Sequence, residues 1–462
     1  MLDAKNTSWQ ERYHASEIFT LRCNILDKPG MLGKLITTIG HAGAHVGNIN
    51  VVGLDSQHKL RDITIYCRDQ EHLNDILDMA NKCEGIKVIN IKDDVLEMHR
   101  RGTIEVINKV PITNLSDLRM LYTPGVASVC ERIKNKPDTA WEMTGLCDRV
   151  AIVTNGTAVL GLGNIGTLPS LPVMEGKSAI FAEFVHISAF PILVDSKDIE
   201  TVVETVTNIA SGFGAIQLED ISAPACFEIE KKLKEKLDIP VLHDDQHGTA
   251  TVTLAALINA MKRTKKEPKD CSVIILGAGA AGYAIAMILK KFGIGDIVVY
   301  DSAGPLYRGR TERMNPYKLQ LTEITNKDNQ KCDLKRGFKD KDVFIGVAQP
   351  NIVTSEMIAS MARGPIVFPL SNPVGEIGIE EALAAGAAVV GDGRSINNAL
   401  VYPGLFRGAL DGRAKRITSK MLLAAAQELA RLAPKESLLP NMLDRRVHKK
   451  LAETIRQLIQ TS

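Results

Sequence analysis

Residues 272–301 read SVIILGAGAAGYAIAMILKKFGIGDIVVYD, and they specify the architecture of the C-terminal half of the chain. An apolar, β-branched run is followed by Gly277, Gly279 and Gly282, then by a run with helical periodicity and by a second apolar run that ends at Asp301. This order predicts a strand, a tight turn, a helix and a second strand, which together form a dinucleotide-binding unit.

The chemistry of such a unit depends on its backbone. Glycines allow the pyrophosphate to approach closely, the helix N-terminus attracts its charge, and the acid after the second strand binds the ribose hydroxyls. The alternative is a tight strand-to-helix turn that binds no ligand. We expect a nicotinamide dinucleotide to bind at Gly277, Ala278, Gly279, Ala280, Ala281, Gly282 and Asp301.

The acid at the end of the second strand also bears on the choice of cofactor. Asp301 favours NAD over NADP, because a carboxylate repels the 2′-phosphate of NADP. Arg308 and Arg310 follow a few residues later. They are either receptors for that phosphate or part of a solvated loop, so NAD is the preferred cofactor and NADP the alternative.

The alternation of short apolar runs and helical stretches continues to the C-terminus. The runs DVFIGVA, PIVFPL and AAVVGDG are typical of buried strands in a doubly wound parallel sheet. Residues 419–433 and 442–459 have helical periodicity and predict two closing helices. Residues 248–462 are therefore predicted to form a Rossmann NAD(P)-binding domain, whose last helices are free to pack on the preceding domain.

A second glycine pattern precedes a stretch rich in proline. Gly161, Gly163 and Gly166 follow an apolar run, but Pro169 and Pro172 come soon after them and are expected to interrupt a following helix. We therefore expect a loop near the active site rather than a second nucleotide site. A close-packed turn is the alternative.

Two acidic doublets follow apolar runs in the middle of the chain. LEDISAP contains Glu219 and Asp220, and VLHDDQHGTA contains Asp244 and Asp245. Carboxylates at neighbouring strand ends repel one another unless a cation binds, and oxygen ligands suit Mg²⁺ or Mn²⁺. Each doublet alone is typical of a solvated turn, whereas the pair indicates a metal site. The flanking His243 and His247 leave zinc as the alternative.

Two further residues are candidates for proton transfer. Lys177, in VMEGKSAIF, precedes an apolar run, and a partly buried lysine with a lowered pKa can act as a base. Tyr122, in LYTPGVA, offers a phenol as an acid. A surface lysine and a packing tyrosine are the ordinary alternatives, and spacing alone selects neither role.

The N-terminal part has a different pattern. From about Glu17 to Asp94 the sequence predicts the order β-α-β-β-α-β, which is the ferredoxin-like arrangement. We place domain boundaries at 1–97, 98–247 and 248–462, and the middle domain is predicted to be an α/β substrate domain. The overall class is therefore α/β.

Composition narrows the function classes. A net charge of +2 over 462 residues predicts no nucleic-acid or membrane partner. The first 14 residues lack the apolar core of a signal peptide, and the eight cysteines form no C-x-x-C pair. We therefore expect a cytoplasmic protein.

Six motifs, taken together, resemble the malic enzymes in their short bacterial form. They are LYTPGVA, PVMEGKSAIF, LEDISAP, HDDQHGTA, GAGAAG and LSNP, and they occur in the family's order between about Leu118 and Gly412. In addition, DKPGMLGKL followed by GAHVGNI resembles an ACT domain, a module that commonly binds small effectors. The resemblance implies a metal-dependent oxidative decarboxylation of malate to pyruvate and a homodimer or higher homo-oligomer.

The resemblance also implies roles for individual residues. Tyr122 is the general acid, Lys177 the general base, and Asp244 part of the acid–base network. Asn372, Asn397 and Asn398 hold the malate carboxylates or the nicotinamide end. In longer relatives an arginine precedes the glycine loop, whereas this sequence reads NGTAVLGLG. The metal ligands are Glu219, Asp220 and Asp245.

Three alternatives remain open at this point. A 2-hydroxy-acid dehydrogenase that does not decarboxylate has the same nucleotide domain but needs no acidic doublets. A non-catalytic sensor of metabolite or nucleotide does not need the acid, the base and the metal ligands together. In the ACT region, Asp27, Gly30 and Asn48 form either an effector site between two such domains or part of a structural dimerisation module.

Overall fold

The chain divides into two compact units, which are described separately. A computed structural model describes residues 17–54, 57–159 and 161–461. The first unit spans Met1–Glu105 and the second spans Val106–Ser462. The first 14 residues, for which the sequence predicts no signal peptide, lie outside the described residues.

The first unit is an antiparallel sheet covered by helices. The strand order β2-β3-β1-β4 and the two intervening helices reproduce the predicted ferredoxin-like arrangement. Alternate residues of the central strands, such as Leu21, Cys23 and Ile63, are buried against α1 and α2. The elements are β1 Glu17–Leu26, α1 Met31–His41, β2 His45–Leu54, β3 His58–Cys67, α2 Gln70–Asn81, β4 Ile86–Asp93 and α3 Asp94–Met98.

The second unit begins with a four-stranded sheet. Its strands run parallel in the order β6-β5-β7-β8, as expected for strands joined by crossover helices. The elements of this part are α4 Leu115–Leu121, α5 Val126–Asn135, α6 Ala140–Met143, β5 Arg149–Thr154, α7 Thr167–Val185, β6 Ser188–Leu193, α8 Ile199–Ile209, β7 Ala215–Leu218, α9 Ala225–Lys236, β8 Val241–His243 and α10 Asp244–Thr264.

A six-stranded sheet follows, in the order β11-β10-β9-β12-β13-β14. Five strands are parallel and β11 is an antiparallel edge, so the doubly wound prediction is confirmed. The elements are β9 Ser272–Leu276, α11 Ala280–Phe292, β10 Asp296–Asp301, β11 Gly304–Pro305, α12 Pro316–Ile324, α13 Leu334–Gly337, β12 Val343–Gly346, α14 Ser355–Ala359, β13 Ile366–Pro369, α15 Ile379–Ala384, β14 Val389–Val390, α16 Tyr402–Asp411, α17 Ser419–Leu432 and α18 Arg445–Gln460.

The predicted interruption after the second glycine pattern is wrong. Helix α7 begins directly after Gly166 and continues through Pro172. Pro169 is the third residue of the helix, where the backbone N–H has no partner within the helix. Proline therefore costs no hydrogen bond there, and Pro172 removes only one.

The closing helices are confirmed and pack within the second unit. Helix α17 packs on α10, and α18 packs on α16 and α7. The rings of Phe184 and His448 stack with centroids 4.5 Å apart, joining α7 to α18. In the described part of the chain, none of the helices has both the length and the apolar character needed to cross a membrane.

Candidate active site

Two neighbouring strands bring the acidic doublets together. Strands β7 and β8 pair in parallel, with Leu218 opposite His243, so the residues after them meet at one edge of the sheet. Oxygens of Glu219, Asp220 and Asp245 lie within 4.8 Å of one another. The metal-ligand set implied by the resemblance is therefore assembled in space from residues of two strand ends.

The electrostatics of this cluster suit a cation. Burial, reinforced by the neighbouring carboxylates, raises the pKa of Asp220 to about 9. Burial also raises the pKa of Glu219 to about 7, despite the nearby Lys177. Asp220 has a φ of 52°, and its buried Oδ2 has no hydrogen-bond partner in the described structure. These features indicate a site whose ligands need positive charge.

The two histidines beside the second doublet differ in position, and His243 Nε2 lies 3.4 Å from Asp245 Oδ2. His247 Nε2 lies 3.0 Å from Glu230 Oε2. His243 is fully buried, and burial lowers its pKa to about 3, so the ring is neutral. The three carboxylates that converge offer oxygen only, which favours Mg²⁺ or Mn²⁺ over zinc.

Lys177 lies directly against the acidic cluster. It projects from α7, and its Nζ is 2.6 Å from Asp244 Oδ2 and 2.8 Å from Glu219 Oε1. Burial lowers the pKa of Lys177, but the carboxylates of Asp244 and Glu219 outweigh burial and raise it well above its ordinary value. The expected lowering of its pKa is therefore wrong for the cation-free protein, because the sequence gives no measure of the opposing charge.

Three residues that the sequence analysis did not single out support these groups. The Tyr402 ring centroid is 4.7 Å from Lys177 Nζ, a cation–π contact. Gln217 Nε2 donates to Glu219 Oε2 at 2.8 Å. Glycine is required at position 248, because a Cβ there would lie 1.9 Å from Asp244 Oδ1. The buried polar residue in the apolar run AIQL was the one available signal for Gln217.

Tyr122 is placed differently. It follows the last residue of helix α4, the residue is 68% exposed, and no hydrogen bond of its hydroxyl is found in the described part of the chain. Helices α4 and α5 contain no buried residue. In the described part of the chain, the Tyr122 side chain therefore makes no contact with Lys177.

The three predicted asparagines lie in two loops. Asn372 follows β13, and its Nδ2 donates to the carbonyl of Gly393 at 3.3 Å. Asn397 caps a short 3₁₀ helix through its side-chain oxygen. Asn398 lies beside the cluster, because a Cβ on Gly248 would be 3.2 Å from the Cβ of Asn398.

The second glycine loop lies close to the first of these asparagines. A Cβ on Gly161 would be 3.0 Å from the Asn372 carbonyl oxygen. Gly156 is confined more tightly, because its Cβ would be 2.1 Å from the Gly166 carbonyl oxygen. This loop therefore packs against the asparagine-bearing loop.

The dinucleotide loop has the predicted geometry. Gly277 has a φ of 113°, and a Cβ on Gly282 would lie 1.8 Å from the Gly277 carbonyl oxygen. A Cβ on Gly279 would meet nothing within 4 Å, which leaves open space at the N-terminus of α11. Residues 277–282 therefore join β9 to α11 at a crevice of the parallel sheet.

Asp301 is not a free carboxylate. Arg310 donates to its Oδ1 at 2.7 Å and Lys318 to its Oδ2 at 2.6 Å. Although burial opposes it, these two cations lower the pKa of Asp301. Arg310 is buried and also binds the carbonyl oxygens of Gly304 and Pro305. The suggested role of Arg310 as a receptor for a 2′-phosphate is therefore not supported.

Two family models together match most of the chain. Residues 101–234 match the family model described as malic enzyme, N-terminal domain. Residues 246–396 and 393–456 match malic enzyme, NAD binding domain. This chain belongs to the malic enzyme family.

Relatives of this malic enzyme match along most of the chain. The NAD-dependent malic enzyme of Geobacillus stearothermophilus is 44% identical, covering 92% of this chain and 90% of the relative. NAD-dependent malic enzyme 1 of Bacillus subtilis is 39% identical, covering 96% and 98%. The crystal structure of an NAD-dependent malic enzyme from Thermotoga maritima is 40% identical, with a TM-score of 0.77, and covers 79% of this chain and 99% of that one. The family resemblance is thus confirmed.

The first unit of this malic enzyme contains the residues expected to bind an effector. Asp27 lies in the turn after β1 and pairs with Lys59 at 2.8 Å. Gly30, with a φ of 87°, caps α1. Asn48 lies in β2 between Val46 and Ile49, where the pairing with β3 shifts register.

Proposed function

We propose that this chain oxidises and decarboxylates L-malate to pyruvate and CO₂ while it reduces NAD. The observation that carries the proposal is the contact of Lys177 with both Asp244 and the cation-site residue Glu219. That contact supports Lys177 as the proton acceptor, because it would lie beside a cation that holds the substrate's hydroxyl group.

The acidic cluster would hold Mg²⁺ or Mn²⁺ through Glu219, Asp220 and Asp245. When bound, such a cation supplies Lewis-acid stabilisation of negative charge on oxygen during oxidation and CO₂ loss. The orphaned Oδ2 of Asp220 and the raised pKa values of the cluster support this assignment.

Lys177 would remove the proton from the malate hydroxyl as hydride passes to NAD. A neutral amine is needed for this step. Without a cation the carboxylates keep the proton on Lys177, and a bound cation would lower the pKa of Lys177 and favour loss of its proton to Asp244 across the 2.6 Å contact. Burial raises the pKa of Asp244 to about 7, which suits a group that gains and loses protons near neutrality. Asp244 is thus proposed as a member of the acid–base network.

Tyr122 is proposed as the acid that protonates C3 of the product. Its exposed position means that the family motif LYTPGVA alone supports this role. Replacement of Tyr122 by Phe should leave malate oxidation and CO₂ loss measurable but slow the exchange of pyruvate methyl protons with solvent. Unchanged exchange would remove Tyr122 from the mechanism.

The substrate and cofactor assignments follow the same geometry. Asn372, Asn397 and Asn398 are proposed to hold the malate carboxylates or the nicotinamide end. Residues 277–282 and Asp301 are proposed to bind NAD, with NADP as the weaker alternative. The NAD-dependent relatives support the preference for NAD.

We propose the domain boundaries 98–247 and 248–462, each domain being centred on one parallel sheet, although residues 98–105 fall in the first compact unit. A homodimer is also proposed, since residues 106–122 carry exposed apolar side chains that association would cover. These apolar side chains belong to Val106, Ile107, Val110, Ile112, Leu115, Leu118, Met120 and Leu121.

A cytoplasmic location is proposed from the eight free thiols.

The first unit is proposed to be an ACT domain, residues 1–97, that binds a small effector near Asp27, Gly30 and Asn48. The ferredoxin-like strand order and the positive φ of Gly30 support this. If it is correct, some metabolite will change the activity of the full chain but not that of a chain lacking the residues before Thr113. An identical response in both chains would exclude the role.

The deciding experiment measures absorbance of the reduced nicotinamide with L-malate and Mn²⁺, using NAD or NADP, with chelator as the control. Chelator-sensitive reduction accompanied by pyruvate is the expected result. Reduction without pyruvate would identify a 2-hydroxy-acid dehydrogenase that does not decarboxylate. No turnover with either cofactor would favour a non-catalytic sensor.

A further inference from the structure

A cavity of about 460 Å³ borders the first two turns of α10, the helix that begins with Asp244 and Asp245. It is bordered by α9, α10, α11, α12 and α17. None of the cluster carboxylates and none of residues 277–282 lines it. It is large enough for a small organic ligand and is separate from the groups assigned above.

One wall of the cavity is a fixed aromatic surface. The ring centroids of Phe227 and Tyr317 are 4.2 Å apart, and those of Phe227 and Tyr283 are 4.9 Å apart. The Tyr317 hydroxyl donates to Glu228 and the Tyr283 hydroxyl donates to Gln320, each at 2.6 Å. The hydroxyls are thus occupied, and the rings are held in place to contact a flat apolar group.

The charges around the cavity favour an anion. Three lysines line it, and Lys231 and Lys291 form no ion pair with a carboxylate in the described part of the chain. Lys234 is 2.8 Å from Glu230, which His247 also contacts. Among the lysine and glutamate side chains that line the cavity, three lysines exceed Glu230 and Glu235 by one positive charge.

A buried donor also lines the cavity. Gln246 is 2% exposed, and its Nε2 has no hydrogen-bond partner in the described structure. A buried donor without an acceptor is costly, typically about 1–3 kcal/mol. A ligand oxygen would remove that cost once the Gln246 side chain turned its amide toward the cavity.

We propose that this cavity is a regulatory site for a flat aromatic carboxylate. The ring lies against Phe227, Tyr283 and Tyr317, and the carboxylate is bound by Lys231, Lys291 and the Gln246 amide. One negative charge matches the excess charge of the lining, and the aromatic wall distinguishes such a ligand from a free inorganic anion.

Glu230 connects the cavity wall to the acidic cluster. Its Oε1 accepts a hydrogen bond from the backbone N–H of His243 at 3.0 Å, directly before Asp244 and Asp245. Its other oxygen contacts His247, which lines the cavity. A ligand that shifts His247 or Lys234 therefore shifts the residue that holds the strand end in place, and the two sites are linked.

The test uses 4-fluorobenzoate as the probe, followed by fluorine NMR, with the full chain saturated with Mg²⁺, NAD and oxalate. Oxalate, a non-reacting dicarboxylate, blocks adventitious binding at the substrate site. We expect saturable binding with a dissociation constant on the order of 1 mM. The uncharged 4-fluorobenzamide should bind far more weakly.

Matched variants locate the binding. Lys231→Gln should weaken binding of 4-fluorobenzoate about 5-fold, which corresponds to the free energy of one exposed charge pair. Lys236→Gln, on the same helix but outside the cavity lining, should leave it unchanged. The proposed site would be refuted by any of three results: 4-fluorobenzamide binds as tightly as 4-fluorobenzoate, the probe does not bind in the presence of oxalate and NAD, or Lys231→Gln has no effect on binding.

The linkage is tested by titrating Mn²⁺, followed by its EPR signal, without oxalate and with or without 4-fluorobenzoate. The Mn²⁺ affinity of the wild type should change at least about 2-fold, and by less in Lys231→Gln. An unchanged affinity at saturating probe would overturn the regulatory role.

Discussion

Binding of a divalent cation should release protons from the acidic cluster. In the cation-free protein, Asp220 has a pKa of about 9 and Glu219 of about 7, and burial raises the pKa of Asp245 as well. A cation needs these ligands ionised. At pH 7.5 Asp220 is mostly protonated and Glu219 partly so, which corresponds to about one proton released per cation.

The same protons set the pH dependence of affinity and stability. One proton released per cation makes binding about tenfold tighter per pH unit, or about 1.4 kcal/mol. Each carboxyl whose pKa is raised on folding stabilises the folded state fully below about pH 4. That stability is lost as the pH rises through the folded-state values of about 7 and 9. The cation-free protein should therefore become less stable from about pH 4 to pH 9, and Mn²⁺ should restore stability most at pH 9.

The assay is isothermal titration calorimetry with Mn²⁺ in two buffers of different ionisation enthalpy, which gives the number of protons directly. Asp220→Asn is the matched variant, because it keeps the shape of the side chain but has no proton to release. Its proton release should fall by most of one proton. Equal heats in both buffers for the wild type would show that no proton is released and that the cluster is already ionised.

Three other sets of substitutions address separate parts of the site. Lys177→Met should lower kcat about 100- to 10,000-fold in steady-state assays, because the proton acceptor is removed. The circular dichroism spectrum should stay unchanged. A retained kcat would exclude Lys177 as the general base. Gly282→Ala should lower the free energy of unfolding by about 1–3 kcal/mol in urea titrations, because its Cβ would meet the Gly277 carbonyl oxygen. Gly279→Ala should leave the free energy of unfolding unchanged and weaken NAD binding. Equal effects of the two substitutions on stability would contradict the loop geometry. Lys318→Met should lower kcat/KM for NADP about 10-fold relative to NAD, because Asp301 loses a compensating charge; an unchanged ratio would contradict that role.

Features that depend on local order could be predicted from the sequence alone. The glycine spacing from Gly277 to Gly282, flanked by apolar runs, specified the dinucleotide unit, because a tight turn and a helix need residues that are close in the chain. The alternation of strands and helices likewise specified both the ferredoxin-like unit and the doubly wound sheet. The acidic doublets were recognisable because each follows a short apolar run.

What these groups do to one another depends on the tertiary structure. Lys177 meets Asp244 across 67 positions of sequence, and their 2.6 Å contact fixes the direction of the lysine's pKa. Arg310 is buried on Asp301 rather than free in a loop, and Tyr122 is exposed rather than packed. Burial and Coulomb interactions depend on distances between residues far apart in the chain, and local sequence patterns carry no information about those distances.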